Sequence, residues 1–175
     1  MDESMTSIDD IREGNRKLAA RVLDLARNEG LTIGTAESCT GGLCAATLTE
    51  VPGSSDVVRG GIVSYWVEVK ETVLGVSPDT IEDPGVVSEQ CAREMAQGAR
   101  SCLSCDLAVS TTGIAGPGGA EPGKPVGTVC FGLSTPEGRE SWTTCRGTTR
   151  QEIRYLAVRS ALEKLESALL KRCRS

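Results

Sequence analysis

The chain has 175 residues, the length of one ordinary domain, and 39% of them are hydrophobic, enough to bury a core without disulfide staples. Aromatics make up only 3% and the formal charge is -5. With neither the stacking platforms of single-strand binders nor the basic face of a phosphate-backbone binder, no nucleic-acid partner is expected.

In chain order, residues 1–8 read as a flexible tail on a single domain covering 1–175. The stretch Met1 to Ala20 carries acids and no continuous apolar run, and no later segment is apolar for long enough to span a bilayer. A cytoplasmic protein with no membrane partner is expected, and the eight cysteines should then be thiols. Ile11, Leu18, Val22, Leu25 and Ala26 recur at helical spacing behind the capping candidates Asp9 and Asp10, and Gly30 stands where the helix would stop. Leu31 to Ala36 reads as a strand, Gly41 to Glu50 as a helix, Arg59 to Trp66 as a second strand and Val67 to Leu74 as a short helix. Pro78 and Pro84 punctuate a loop. Ser88 and Glu89 begin a helix that reaches about Leu103, and Asp106 to Thr112 is an apolar strand.

The stretch Gly113 to Pro125 holds five glycines and three prolines and must be a loop. Val126 to Ser134 and Arg139 to Cys145 flank the turn sequence Thr135-Pro136-Glu137-Gly138 and form a hairpin. A long last helix carries Ile153, Leu156, Ala157, Ala161, Leu165, Ala168 and Leu169 on one stripe. Strands alternating with helices, plus one hairpin, predict an α/β fold: a three-layer α/β/α sandwich around a mixed sheet of about five strands.

The chain has no histidine. This excludes Ser-His-Asp and Cys-His catalysis and imidazole metal ligation, and leaves Lys, Asp, Glu, Tyr or Cys as any general base. The run Ala36-Glu37-Ser38-Cys39-Thr40-Gly41-Gly42 falls at a strand-to-helix junction. There, small residues expose backbone N–H groups suited to a phosphate or a developing oxyanion. Ser38 is placed as an acyl-transfer nucleophile; equally, Ser38 and Thr40 fit a helix cap, with Gly41 and Gly42 serving close packing. Cys39 is a rival nucleophile, but with no histidine to pair it a buried structural thiol is the better fit. Among the lysines, Lys70 follows the second strand, and with Tyr65 it can sit at the sheet edge facing Ser38. As a base it needs burial to bring its pKa down from about 10.4; a solvated helix residue is the alternative.

Gly118 to Lys124 has P-loop spacing, but Pro125 replaces the magnesium-binding hydroxyl and a strand follows instead of a helix, so nucleotide triphosphate chemistry is rejected. Cys102 and Cys105 have the spacing of a zinc half-site without a second half, and no metal is assigned. Arg146, Arg150 and Arg154 recur every four residues, either as a solvated face or as an anion anchor.

Taken together, Thr35-Ala36-Glu37-Ser38-Cys39-Thr40-Gly41-Gly42, Gly60-Gly61-Ile62-Val63-Ser64-Tyr65 with Lys70, Thr112-Gly113-Ile114-Ala115-Gly116-Pro117 and Lys124-Pro125-Val126-Gly127-Thr128-Val129 closely resemble the CinA C-terminal-domain family, the nicotinamide mononucleotide deamidases. The resemblance runs from about Val22 to about Leu165. It implies hydrolysis of the carboxamide of nicotinamide mononucleotide to nicotinic acid mononucleotide and ammonia, in pyridine-nucleotide salvage, with no cofactor and no metal. It implies Ser38 as nucleophile, Lys70 as its base and Tyr65 as a neighbouring hydroxyl. Thr40, Gly41, Gly42, Gly113, Ile114, Ala115 and Gly116 are implied around the nucleotide substrate, with Arg150 taken for its phosphate and Arg146 as the second choice. Arg146-Gly147-Thr148-Thr149-Arg150 departs by one residue from the family's Gly-Asp-Arg pattern and lacks the acid. A homo-oligomer, with a dimer favoured, and a standalone domain without the extra N-terminal domain of many relatives are the remaining expectations. The alternative is a catalytically silent nucleotide-binding or regulatory module of the same fold.

Overall fold

Residues 7–172 are described by the structure, a computed structural model. Of the tail expected over 1–8, residues 1–6 lie outside the described residues, while Ser7 and Ile8 already belong to the first helix and its cap. Helix α1, Ile8–Glu29, begins with a capping box: Asp10 N donates to the Ser7 hydroxyl and Ser7 N donates to the Asp10 carboxylate. The cap is therefore Ser7, with Asp10 as its partner, and Asp9 has no part in it. Gly30, at φ 65°, takes the left-handed conformation that closes the helix onto the Ala26 and Arg27 carbonyls.

Strand β1, Ile33–Glu37, runs parallel to β2, Val58–Val63, on one side and to β3, Leu107–Gly113, on the other. Antiparallel β4, Thr128–Thr135, and β5, Gly138–Cys145, complete the order β2-β1-β3-β4-β5. The sheet is mixed and five-stranded, as the pattern predicted. Alternate side chains separate its two faces. Ile33, Leu107, Val109 and Phe131 pack with the buried stripes of α1 and of α6, Arg150–Arg172; α2, Leu43–Thr49, lies on the same side. Ala36 and Ala108 pack on the other face with Met95 and Ala99 of α5, Glu89–Cys102, which makes the third layer. Helix α5 approaches β4 so closely that a Cβ at Gly132 would lie 2.2 Å from the Ala92 carbonyl.

Two short helices connect β2 to α5: α3, Val67–Thr72, and α4, Pro78–Glu82. The second replaces the loop expected around Pro78; proline in the first turn is compatible with a helix because its missing N–H would have no intrahelical partner there. Strand β2 ends at Val63, earlier than the predicted Trp66, because the chain turns into α3 over Ser64 to Trp66.

The chain path leaves β1 for β2 on one side and returns to β3 on the other. The C-terminal end of β1 is thus a switch point, where open α/β sheets form their ligand crevices. Ser38 is the first residue beyond that end.

Candidate active site

The floor of the site is built around Glu37, which is buried at the end of β1. Its carboxylate accepts four hydrogen bonds: from Thr35 Oγ1 (3.0 Å), Thr40 Oγ1 (2.7 Å), Cys44 N (2.9 Å) and Ala45 N (2.8 Å). The last two are the second and third N–H groups of α2, so an acid beneath the helix caps it in place of an N-cap side chain. This answers the ambiguity at Ser38: the capping is done by Glu37, and the Ser38 hydroxyl is left for another partner. Thr40 is fully buried and its hydroxyl also bonds Thr111 Oγ1 at 2.7 Å. Its side chain is a brace, and only its backbone remains to face a substrate.

The partner of Ser38 is Lys70. Lys70 Nζ lies 3.1 Å from Ser38 Oγ and donates to the Ser64 carbonyl at 2.6 Å. The lysine sits on α3 and is only 2% exposed, which overturns the solvated alternative. Burial lowers its pKa from the ordinary lysine value, and the groups that pull it back up are the thiols of Cys91 and Cys39. Burial holds those thiols up at about 11 and about 12. They are neutral near pH 7, and no carboxylate stands among these partners to keep Lys70 charged. Burial and the raised pKa make the Cys39 thiol a poor source of thiolate. Ser64, missed in the sequence, is fixed by its own N–H donating to the Glu37 carbonyl at 2.8 Å.

Gly41 and Gly42 have φ of 60° and 92° and carry the chain from Ser38 into α2. Gly41 N–H donates to the Ser38 carbonyl and Leu43 N–H to the Thr40 carbonyl, closing the turn. Of the three residues assigned to the oxyanion, Gly41 therefore has its donor engaged within the turn.

The rim differs from its prediction in one respect. Tyr65 is 58% exposed, and its hydroxyl accepts from Arg150 Nη2 at 3.3 Å instead of joining Ser38 and Lys70. Arg150 Nη1 donates to the Gly116 carbonyl at 2.8 Å. Tyr65, Gly116 and Arg150 thus meet at the rim. Ile114 and Ala115 do not reach the rim with their side chains, which are buried in the core; Ile114 N–H and C=O pair with Thr128 and Gly127, and Gly113 closes β3. The loop beyond is ordered by a tight turn in which Glu121 and Lys124 exchange backbone hydrogen bonds. Arg154, one turn after Arg150, donates to the Thr40 carbonyl at 2.7 Å. The Glu152 carboxylate, two residues after Arg150, accepts from Thr148 N and Oγ1 at 2.9 Å each.

The sequence profile of the CinA C-terminal domain matches residues 15–169. The chain belongs to the CinA C-terminal domain family. A CinA-like protein of Fervidobacterium nodosum is 40% identical over 169 residues, 97% of this chain and 40% of that protein. One of Mycobacterium avium is 53% identical over 134 residues, 76% of this chain and 29% of that protein. The chain thus spans well under half the length of these curated CinA-like relatives. Among solved structures, the competence/damage inducible protein CihA from Agrobacterium tumefaciens superposes with a TM-score of 0.85 at 44% identity, covering 89% of this chain and 94% of that one. A CinA superfamily protein from Klebsiella pneumoniae gives 0.86 at 32% identity, with 90% and 98% covered. Among the described residues no helix is long and apolar enough to cross a membrane.

Proposed function

We propose that the chain is a nicotinamide mononucleotide amidase that works through Ser38 and Lys70. The observation that carries this reading is the buried Lys70 Nζ at 3.1 Å from Ser38 Oγ, a lysine depressed in pKa beside a hydroxyl, in a chain without histidine. Neutral Lys70 takes the Ser38 proton as Oγ attacks the carboxamide carbon. The C–N bond breaks as Lys70 returns the proton to the departing nitrogen, releasing ammonia and leaving an ester on Ser38. Water, deprotonated by Lys70, then cleaves the ester to the nicotinic acid product. Backbone N–H groups of the turn from Thr40 to Gly42 hold the developing oxyanion, and Arg150 receives the phosphate. Tyr65, through Arg150, shapes the rim.

The test is ammonia release from nicotinamide mononucleotide. Turnover is expected from the wild type and loss of it from Ser38→Ala and Lys70→Ala; a wild type that releases no ammonia would leave the silent-module alternative standing. We further infer that two copies pair across the open edge at β2. Val63, Trp66 and Val67 are all exposed there, Trp66 at 75%. Light scattering on the wild type and Trp66→Glu checks this, a dimer being expected for the first and a monomer for the second.

A further inference from the structure

Resting on the amidase reading, we propose that Arg154 is a positioning residue for Ser38, acting through the Thr40–Gly41 peptide. The turn after Ser38 is intrinsically pliable, because two successive glycines with φ of 60° and 92° carry it. In a trans peptide the C=O and the following N–H point in opposite directions. Arg154 Nη2, by holding the Thr40 carbonyl at 2.7 Å, therefore also holds Gly41 N–H toward the Ser38 carbonyl, where it bonds at 3.0 Å. Rotation of that single peptide would break both contacts, together with the longer bond from Leu43 N–H to the Thr40 carbonyl at 3.2 Å, and release the main chain of the nucleophile. Glu37 does not reach that peptide, since its hydrogen bonds fix the Thr40 side chain and the start of α2; the carbonyl is held by Arg154 at 2.7 Å and, more loosely, by Leu43 N–H. The guanidinium lies directly over the turn: a Cβ at Gly41 would be 3.6 Å from Nη2.

A second observation separates this contact from ordinary packing. Arg154 Nε is the buried side-chain nitrogen without a hydrogen-bond partner among the described residues. A buried donor left unpaired costs its desolvation, and such uncompensated costs gather where function requires a placement that stability alone does not. Arg150, one turn earlier and exposed, carries no such cost. The two arginines therefore divide the work, Arg150 at the rim and Arg154 at the nucleophile.

The experiment compares the full-length wild type with Arg154→Met and Arg154→Lys in three readouts: kcat and KM for ammonia release, thermal midpoint, and the rate at which a small sulfonyl fluoride labels Ser38, located by mass spectrometry. Arg154→Met should lower kcat and the labelling rate about 30-fold or more, as a slightly misplaced nucleophile does. Its KM should stay within about threefold, and its midpoint within about 2 °C of wild type or above it, because the orphaned donor is gone. Arg154→Lys should recover part of both rates. Unchanged kcat and labelling in Arg154→Met overturn the proposal, as does a rise in KM alone, which would make Arg154 a substrate anchor. If the wild type labels at Ser38 but does not hydrolyse nicotinamide mononucleotide, the amidase reading fails while the labelling rates still decide the role of Arg154. A wild type that does not label at Ser38 overturns the proposal as well.

Discussion

The floor and the rim of the crevice are built by opposite means. On the floor, Glu37, Thr40 and Lys70 are buried and each polar head meets fixed partners at 2.6–3.1 Å. On the rim, Tyr65 and Arg150 are exposed, and the contact between them is 3.3 Å long. Buried polar groups hold a geometry because leaving any of them unpaired is expensive, whereas exposed ones trade their partners for water at little cost. The difference teaches where chemistry and recognition should separate: substitutions on the floor should change kcat or stability, and substitutions on the rim should change KM.

The largest effect expected is at Lys70. Its replacement by Arg, which cannot give up its proton, should lower kcat roughly 10²–10⁴-fold. In the wild type, kcat should rise with pH and level off once Lys70 is neutral. That happens below the ordinary lysine pKa of about 10.4, since burial lowers it. The stability has a matching sign. Between the lowered folded pKa and the unfolded value near 10.4, the unfolded chain binds more protons, so this group makes the fold more stable as pH rises. The thermal midpoint of wild type minus that of Lys70→Met should therefore grow with pH across that window. A difference that shrinks with rising pH would mean that Lys70 is held charged by a partner, and the floor would not be a base site.

Next in size is Glu37. In Glu37→Gln an amide N–H₂ must face either Cys44 N–H or Ala45 N–H, and one buried donor is orphaned. That should cost about 2–3 kcal/mol, or roughly 5–10 °C in thermal midpoint for a domain of this size. A variant as stable as wild type would show that α2 does not need its acid cap, and the rigidity attributed to the floor would lose its main source.

The layers and the sheet were legible in the sequence because their signals are local and repeated: the helical stripes of α1 and α6, the apolar β3, and a hairpin marked by its turn. Ser38 was legible only as a junction. What fixes it comes from residues close in space and distant in chain, and periodicity carries no sign of them. Lys70 could be named by the resemblance, but its burial follows from how α3 folds back beneath the end of β1, and a lysine in a short polar helix reads as solvated. Glu37 stood in the quoted motif and went unread because an acid at the end of a strand has no local signature; four donors converging on it appear only once α2 has folded back. Arg154 lay in a four-residue repeat that fits a solvated face equally well. Nearness in sequence to Lys70 and the resemblance both put Tyr65 beside the catalytic pair, but the Ser64 carbonyl takes the place beside Lys70 and the phenol meets Arg150 at the rim.

The rim should respond more gently. Arg150→Ala should raise KM for nicotinamide mononucleotide about tenfold, a typical loss for one exposed charged contact to a phosphate, and leave kcat within about threefold. Tyr65→Phe should do less. It removes a hydroxyl whose 3.3 Å contact with Arg150 is open to water, and an exposed hydrogen bond of that kind is worth about 0.5 kcal/mol, a little over twofold in KM. The two substitutions together should cost scarcely more than Arg150→Ala alone, because the phenol acts by holding the guanidinium and has nothing to hold once it is gone. If Tyr65→Phe instead lowered kcat a hundredfold with KM unmoved, the phenol would have to swing inward to the Ser38–Lys70 pair during turnover. The boundary between floor and rim would then shift during turnover.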